Sequence, residues 1–469
     1  MNSQAPPPEN LKSIINLFIH GKLLQALSET NQMLERFPNS VILYNLAGAV
    51  NAGLKNFDAA IESYEKALKI QPGYADAYYN MGIAYKNKGN LEAAIDCYNQ
   101  ALKIKPDYAE AYNNMANALK DNGNLEAAID CYNQALKIKP DYSAAYNNMA
   151  NALEDKGDLE TAIDFYNEAL KIEPDYDEAM SNLLSLLTSF TPLKENPNLI
   201  VKVNEKIRKI DIKNVTSKII SDDWVINLFS KSEAYMNSFS LGLKTKLSQV
   251  YRHSSVDLNC SRHKSIFNQH NIIPKFCFEC YKVQVEPRSI MELIKLFIVF
   301  DQLELNENNT RKCMVELRPE ISGFYKGLIY CSDLKEATKV AEHLDKIIRQ
   351  SIGPGLTSRI KRGCSEYPIA FPDYKEINHS GIQLMNYNED WEVIEEAHDR
   401  KNNIENRQVI RMSLSGLNLK DVLIIQKWID YAKGIGDPTA DLLSHDTIHY
   451  KEIYERAKVR LDSFHFSLN

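Results

Sequence analysis

"DYAEAYNNMANALKDNGNLEAAIDCYNQALKIKP" occupies residues 107–140, and "DYSAAYNNMANALEDKGDLETAIDFYNEALKIEP" follows at once over 141–174. The prolines that close these two stretches belong to a series, Pro38, Pro72, Pro106, Pro140 and Pro174, spaced by 34 residues. A fixed period of this length means one supersecondary unit copied along the chain. Within a unit, Tyr112, Met115, Ala116 and Leu119 follow i, i+3, i+4, i+7 spacing and form one apolar helical stripe. A second helix carries Ala128, Tyr132, Ala135 and Leu136, with Gly123 ending the first helix and Asn124 capping the second. Small residues at Gly82, Ala116 and Ala150, and at Ala94, Ala128 and Ala162, predict close approach of the paired helices. One hairpin alone leaves apolar surface uncovered, so stacking of neighbours stabilises the array.

This pattern resembles the tetratricopeptide family, which implies a right-handed superhelix with a groove. "HGKLLQALSETNQMLERFP" adds a degenerate first unit through Gly21 and Ala26; four fuller units close at Pro174, and "DEAMSNLLSLLTSF" reads as a capping helix ending near Pro192. The first helices are expected to show the groove Asn113 and Asn147, then Asn80, Asn114, Asn148 and Asn182, then Asn117 and Asn151, with Lys86 and Lys120 at its edge. An asparagine side chain both donates and accepts, which suits it to bracketing the backbone amides of an extended peptide. Its repetition in mid-helix costs a few tenths of a kcal/mol each. "AYNNMANAL" is also similar to the repeats of O-linked N-acetylglucosamine transferases, and that resemblance implies backbone binding by Asn80, Asn114, Asn148 and Asn182. It covers the repeats alone, and nothing downstream resembles the sugar-nucleotide domain of those enzymes. The competing reading makes these residues the polar face of a stacked repeat.

After Pro192 the period stops. The expected organisation is a repeat superhelix with its cap over 8–190, a helical connector over 191–259, an α+β domain over 260–374 and a helical C-terminal segment over 375–469. In the α+β stretch, "KVQVEP", "RKCMVELRP", "GFYKGLIYC" and "SRIKRGCSEYPIAFP" read as strands, with helices at "RSIMELIKLFIVFDQLEL" and "DLKEATKVAEHLDKIIRQSI". The order strand, helix, strand, strand, helix, strand predicts a ferredoxin-like split βαβ arrangement. That topology places Cys313, Cys331 and Cys364 at one end of the sheet and Cys277 and Cys280 at the other.

"CSRHKSIFNQHNIIPKFCFEC", residues 260–280, sets a Cys-x-x-His pair before a Cys-x-x-Cys pair. Cys260, His263, Cys277 and Cys280 match the ligand types and pairing of a four-coordinate structural zinc site. Against this, "CFECYK" has aromatics around the pair where a knuckle usually has Gly or a basic residue, and cysteine is also a good small core residue. Arg311, Lys312, Arg318, Lys326, Arg359, Lys361 and Arg362 suggest a basic patch or a solvated sheet edge.

The chain has 469 residues with 62 acidic against 55 basic side chains, a net charge of −7 that offers no field for steering onto nucleic acid. No uncharged apolar run is long enough to span a bilayer. "MNSQAPPPENLKSIINLF" lacks the pattern of a signal peptide, so a cytoplasmic setting with reduced thiols is expected. The leading reading is a protein-interaction scaffold that holds an extended segment of a partner. The alternative is a metal-dependent or transferase-type enzyme acting on a polypeptide presented by the repeats.

Overall fold

The computed structural model describes residues 6–213, 215–238, 243, 245, 247–253, 260–307, 309–318, 321–364, 367–374, 376–378, 383–402, 412–443 and 450–466. The chain divides into two compact units, Met1–Leu183 and Leu184–Asn469.

The first unit is a row of helical hairpins. Pro8–Ile19 with Leu23–Arg36 forms the degenerate opening pair. Then come Val41–Gly53 with Phe57–Ile70, Ala75–Asn87 with Leu91–Ile104, Ala109–Asp121 with Leu125–Ile138, and Ser143–Lys156 with Leu159–Ile172. The repeated turn works through two local devices. Gly89, Gly123 and Gly157 take positive φ after the first helix, which glycine adopts without a Cβ penalty. Asn90, Asn124 and Asp158 then accept a hydrogen bond from the backbone N–H three residues on, capping the second helix. Within each hairpin a tyrosine of the second helix, Tyr64, Tyr98, Tyr132 or Tyr166, is 2% exposed or less, and Tyr64 and Tyr98 lie against Gly48 and Gly82 of the first helix. At Gly82 a Cβ would stand 2.7 Å from the Tyr98 ring. Gly82→Ala should therefore destabilise the unit by about 1 kcal/mol net, because an overpacking cost of roughly 1–3 kcal/mol exceeds the roughly 1 kcal/mol gained in helix propensity. A thermal melt of the variant checks this, and a raised midpoint would refute the steric account.

The second unit is built on a five-stranded antiparallel sheet, β1 (Gln249–Arg252), β2 (Tyr281–Val285), β3 (Arg311–Val315), β4 (Tyr325–Cys331) and β5 (Ser358–Arg362), in the order β1-β3-β4-β2-β5. β1 corrects the expected helical connector over 191–259, which also contains the helices Leu199–Arg208 and Asp222–Asn237. Four residues are too few to show an alternating pattern, and the strand exists because β3 offers it an edge. One face of the sheet packs on the Ile290–Gln302 helix, where Gly327 of β4 leaves room for Leu296 and Phe300. The Leu334–Ser351 helix begins with Asp333, whose carboxylate accepts from Glu336 N–H. The Leu419–Gly434 helix is apolar around much of its circumference and fully embedded, with Val422, Ile425 and Trp428 at 0% exposure. Trp428 donates to Ser248 O at 2.8 Å and Tyr431 to Glu316 O at 2.6 Å, so this C-terminal helix is part of the sheet's core rather than a segment apart from it.

The cysteine placement also differs from expectation. Because β2 and β4 run antiparallel, Tyr281 at the start of β2 faces Cys331 at the end of β4, and Gly363 N–H donates to Cys280 O. Cys280, Cys331 and Cys364 therefore share one end of the sheet, while Cys313 lies in β3 opposite Gly327.

Candidate binding groove and cysteine segment

The repeat asparagines are bonded to one another at a spacing of 35 residues, one period plus one. The Nδ2 of Asn80 donates to Asn45 Oδ1 at 3.0 Å, Asn114 to the Tyr79 hydroxyl at 2.9 Å, Asn148 to Asn113 Oδ1 at 3.1 Å and Asn182 to Asn147 Oδ1 at 3.0 Å. Each bond ties the first helix of one repeat to that of the repeat before it. Asn45, absent from the expected set, is the first rung; its place 34 residues before Tyr79 was the available signal.

This arrangement sorts the expected groove residues into three groups. Asn113 and Asn147 are 4% and 0% exposed, so they serve the interface between helices and do not line an open surface. Asn117 and Asn151 accept from the hydroxyls of Tyr132 and Tyr166, both at 2.6 Å, and so hold the two helices of their own repeat together. Tyr98 lacks such a partner because Ile83 stands at the equivalent position. Asn80, Asn114, Asn148 and Asn182 are half-buried and remain in reach of a ligand. Lys86 reaches Asp121 at 3.0 Å, and Lys120 lies 3.8 Å from Asp155, again across repeats. The charged edge is thus largely neutralised within the unit. Burial pushes the Tyr79 phenol up to about 12, so it stays protonated beside Asn114.

The residues expected to hold zinc are turned to separate surroundings. Cys260 opens the Cys260–His270 helix and is exposed. His263 is buried and stacks on Phe276, with ring centroids 5.2 Å apart. Cys277 lies in the short Lys275–Glu279 helix, its thiol 3.3 Å from the Tyr367 hydroxyl in an aromatic cluster with Phe278 and Tyr374. Burial pushes the Cys277 and Cys280 thiols up, away from the thiolate form that binds metal. Among the described residues no group of three or more His, Cys, Asp or Glu side chains is placed to hold an ion. The zinc reading is corrected accordingly: a knuckle needs a tight turn that sends both thiols to one point, and here a helical turn sends Cys277 into the core.

Family models for the tetratricopeptide repeat match residues 54–89, 84–123 and 107–175. The N-terminal region carries tetratricopeptide repeats. The tetratricopeptide stretch shares 38% identity over 73 residues with a probable UDP-N-acetylglucosamine–peptide N-acetylglucosaminyltransferase, SEC, of Arabidopsis thaliana. That match spans 16% of this chain and 8% of the plant protein. Among solved structures, MamA is 28% identical and covers 34% of this chain and 93% of its own, with a TM-score of 0.32. YrrB, described as a tetratricopeptide protein with an unusual peptide-binding site, is 21% identical over 37% of this chain and 89% of its own, with a TM-score of 0.32. A thermophilic tetratricopeptide protein of Thermus thermophilus is 21% identical over 38% of this chain and 97% of its own, with a TM-score of 0.34. Tetratricopeptide repeats are typical of protein–protein interaction. Among the described residues no helix is long and apolar enough to cross a membrane.

Proposed function

We propose that the tetratricopeptide unit binds an extended segment of a partner protein, with Asn80, Asn114, Asn148 and Asn182 meeting its backbone amides. The observation that carries this reading is the ladder itself. Each of these side chains is fixed by an inter-repeat hydrogen bond and half-buried, so it is pre-organised at a regular spacing along one face. A fixed amide loses little rotamer entropy when it binds. For Asn80, Asn148 and Asn182 the Oδ1 has no protein donor among the described residues, which leaves an acceptor for a peptide N–H.

Binding to an array of immobilised extended peptides tests this. The Asn114→Ala, Asn148→Ala double variant should lose affinity by about tenfold or more, as expected for two hydrogen bonds of roughly 1 kcal/mol each. A thermal melt run alongside separates loss of binding from loss of fold. Equal binding by a variant that remains folded would sink the ladder reading. For the second unit, the order β3-β4-β2-β5, with the Ile290–Gln302 and Leu334–Ser351 helices as its crossovers, supports a split βαβ arrangement to which β1 adds an edge.

A further inference from the structure

The register of the sheet gathers basic side chains on the face opposite the Ile290–Gln302 helix. Lys282 pairs with Tyr330 on one side and Lys361 on the other, while Lys312 pairs with Tyr251 and Leu328. Residues paired across strands share a face, so Tyr251, Lys312, Leu328, Tyr330, Lys282 and Lys361 do so. Like charges directly opposite, as at Lys282 and Lys361, destabilise a sheet.

On this face Lys326 and Arg359 are matched, while on the other face Arg311 and Arg362 donate to backbone carbonyls, of Phe300 and of Phe278 and Met385, instead of to carboxylates. Lys326 lies 3.0 Å and Arg318 2.8 Å from Glu316, and Arg359 lies 2.6 Å from Glu286. Lys282 and Lys312 are different: among the described residues neither has a carboxylate within ion-pair distance. Lys282 is 5% exposed, donates to Cys364 Sγ at 3.4 Å and sits 5.1 Å above the Tyr330 ring, which leaves it with N–H donors to spare. Burial opposes its ammonium, yet the Cys364 sulfur and the Tyr330 phenol outweigh that and hold Lys282 well above the ordinary lysine range. Lys312 lies 5.5 Å from the Tyr251 ring, and burial, then Lys282, push it down to about 8. Buried charge of one sign without a partner is costly, and proteins normally match it.

We propose that this face of the sheet binds a small molecule through an oxyanion, phosphate or carboxylate, held between Lys282 and Lys312. A cleft of about 1140 Å³ is lined by Cys280, two residues before Lys282 in the chain, and by Tyr330, its partner across the sheet, although neither lysine lines it.

The full-length chain is titrated with inorganic phosphate and, separately, with succinate, at ionic strength matched with potassium chloride. One of the two should raise the unfolding midpoint of the second unit by about 2–4 °C at saturation, and the one that does identifies the source of the oxyanion. Lys282→Met and Lys312→Met should each abolish that shift, whereas Lys326→Met, which removes a matched lysine, should retain it. Should Lys282→Met fail to fold, the half-buried Lys312 variant decides the question by itself. Absence of any shift in the wild-type protein, or an equal shift in the Lys312 variant, overturns the proposal.

Discussion

Replacing Arg252 with Met is expected to destabilise the sheet-bearing unit by about 3–5 kcal/mol, the usual cost of leaving buried charges without their partner. Arg252 is 2% exposed at the end of β1. Its Nε donates to Asp301 Oδ1 at 2.6 Å, and its Nη1 and Nη2 donate to the two carboxylate oxygens of Asp421 at 3.1 and 2.5 Å. The guanidinium also lies 4.7 Å from the Phe297 ring. Burial opposes its charge, but Asp421 and Asp301 outweigh that and hold the group above the ordinary arginine range. Three elements meet here: the edge strand, the Ile290–Gln302 helix and the Leu419–Gly434 helix. Asp301 and Asp421 also accept from the backbone N–H groups of Gly416 and Asn418. The variant thus strands two buried carboxylates at once. Urea denaturation gives the loss directly, and adding Asp301→Asn with Asp421→Asn should recover part of it by removing the stranded charges. A loss below about 1 kcal/mol would mean the triad is not matched as described.

Glu316→Gln should cost about 2 kcal/mol at neutral pH and almost nothing near pH 2. Burial pushes the Glu316 carboxyl up, but Arg318 and Lys326 outweigh it and hold the group at about 2, below the ordinary 4.5. A carboxylate lowered in the folded state contributes stability that is complete above about 4.5 and disappears as pH falls through about 2. At about 1.4 kcal/mol per pH unit the carboxylate alone would contribute roughly 3 kcal/mol. Lys326 moves against it: burial, more than Glu316, governs its ammonium and holds it below the usual lysine range. The net is therefore the smaller figure. Chemical denaturation of wild type and variant between pH 2 and 7 measures the difference, and a gap that stays constant across that range would contradict the assignment.

The repeat unit was legible because its determinants lie close together in the chain. Gly123 and Asn124 set the turn within one hairpin, and the 34-residue register of Pro38 to Pro174 places each hairpin against the next. The asparagine ladder was legible in position but not in use. Asn113 looks the same as Asn114 in the sequence, yet one is sealed between helices and the other is half-buried, because adjacent positions on a helix point about 100° apart. Strands β2 to β5 and their helices were visible through periodicity, whereas β1 was too short to show any.

By itself the sequence determined the hairpin, its period, its caps and the strand–helix order of the second unit. These depend on interactions within one turn, one strand or one repeat. Only the tertiary structure decided which charges are matched. Arg252 finds partners 49 and 169 residues away, and Lys282 meets Lys361 and Cys364 across an antiparallel register that no local pattern encodes. It also decided that Cys277 packs among aromatic rings instead of beside Cys260 and His263. Metal ligation requires four side chains to converge on one point, and convergence is a property of the folded backbone rather than of spacing along the chain.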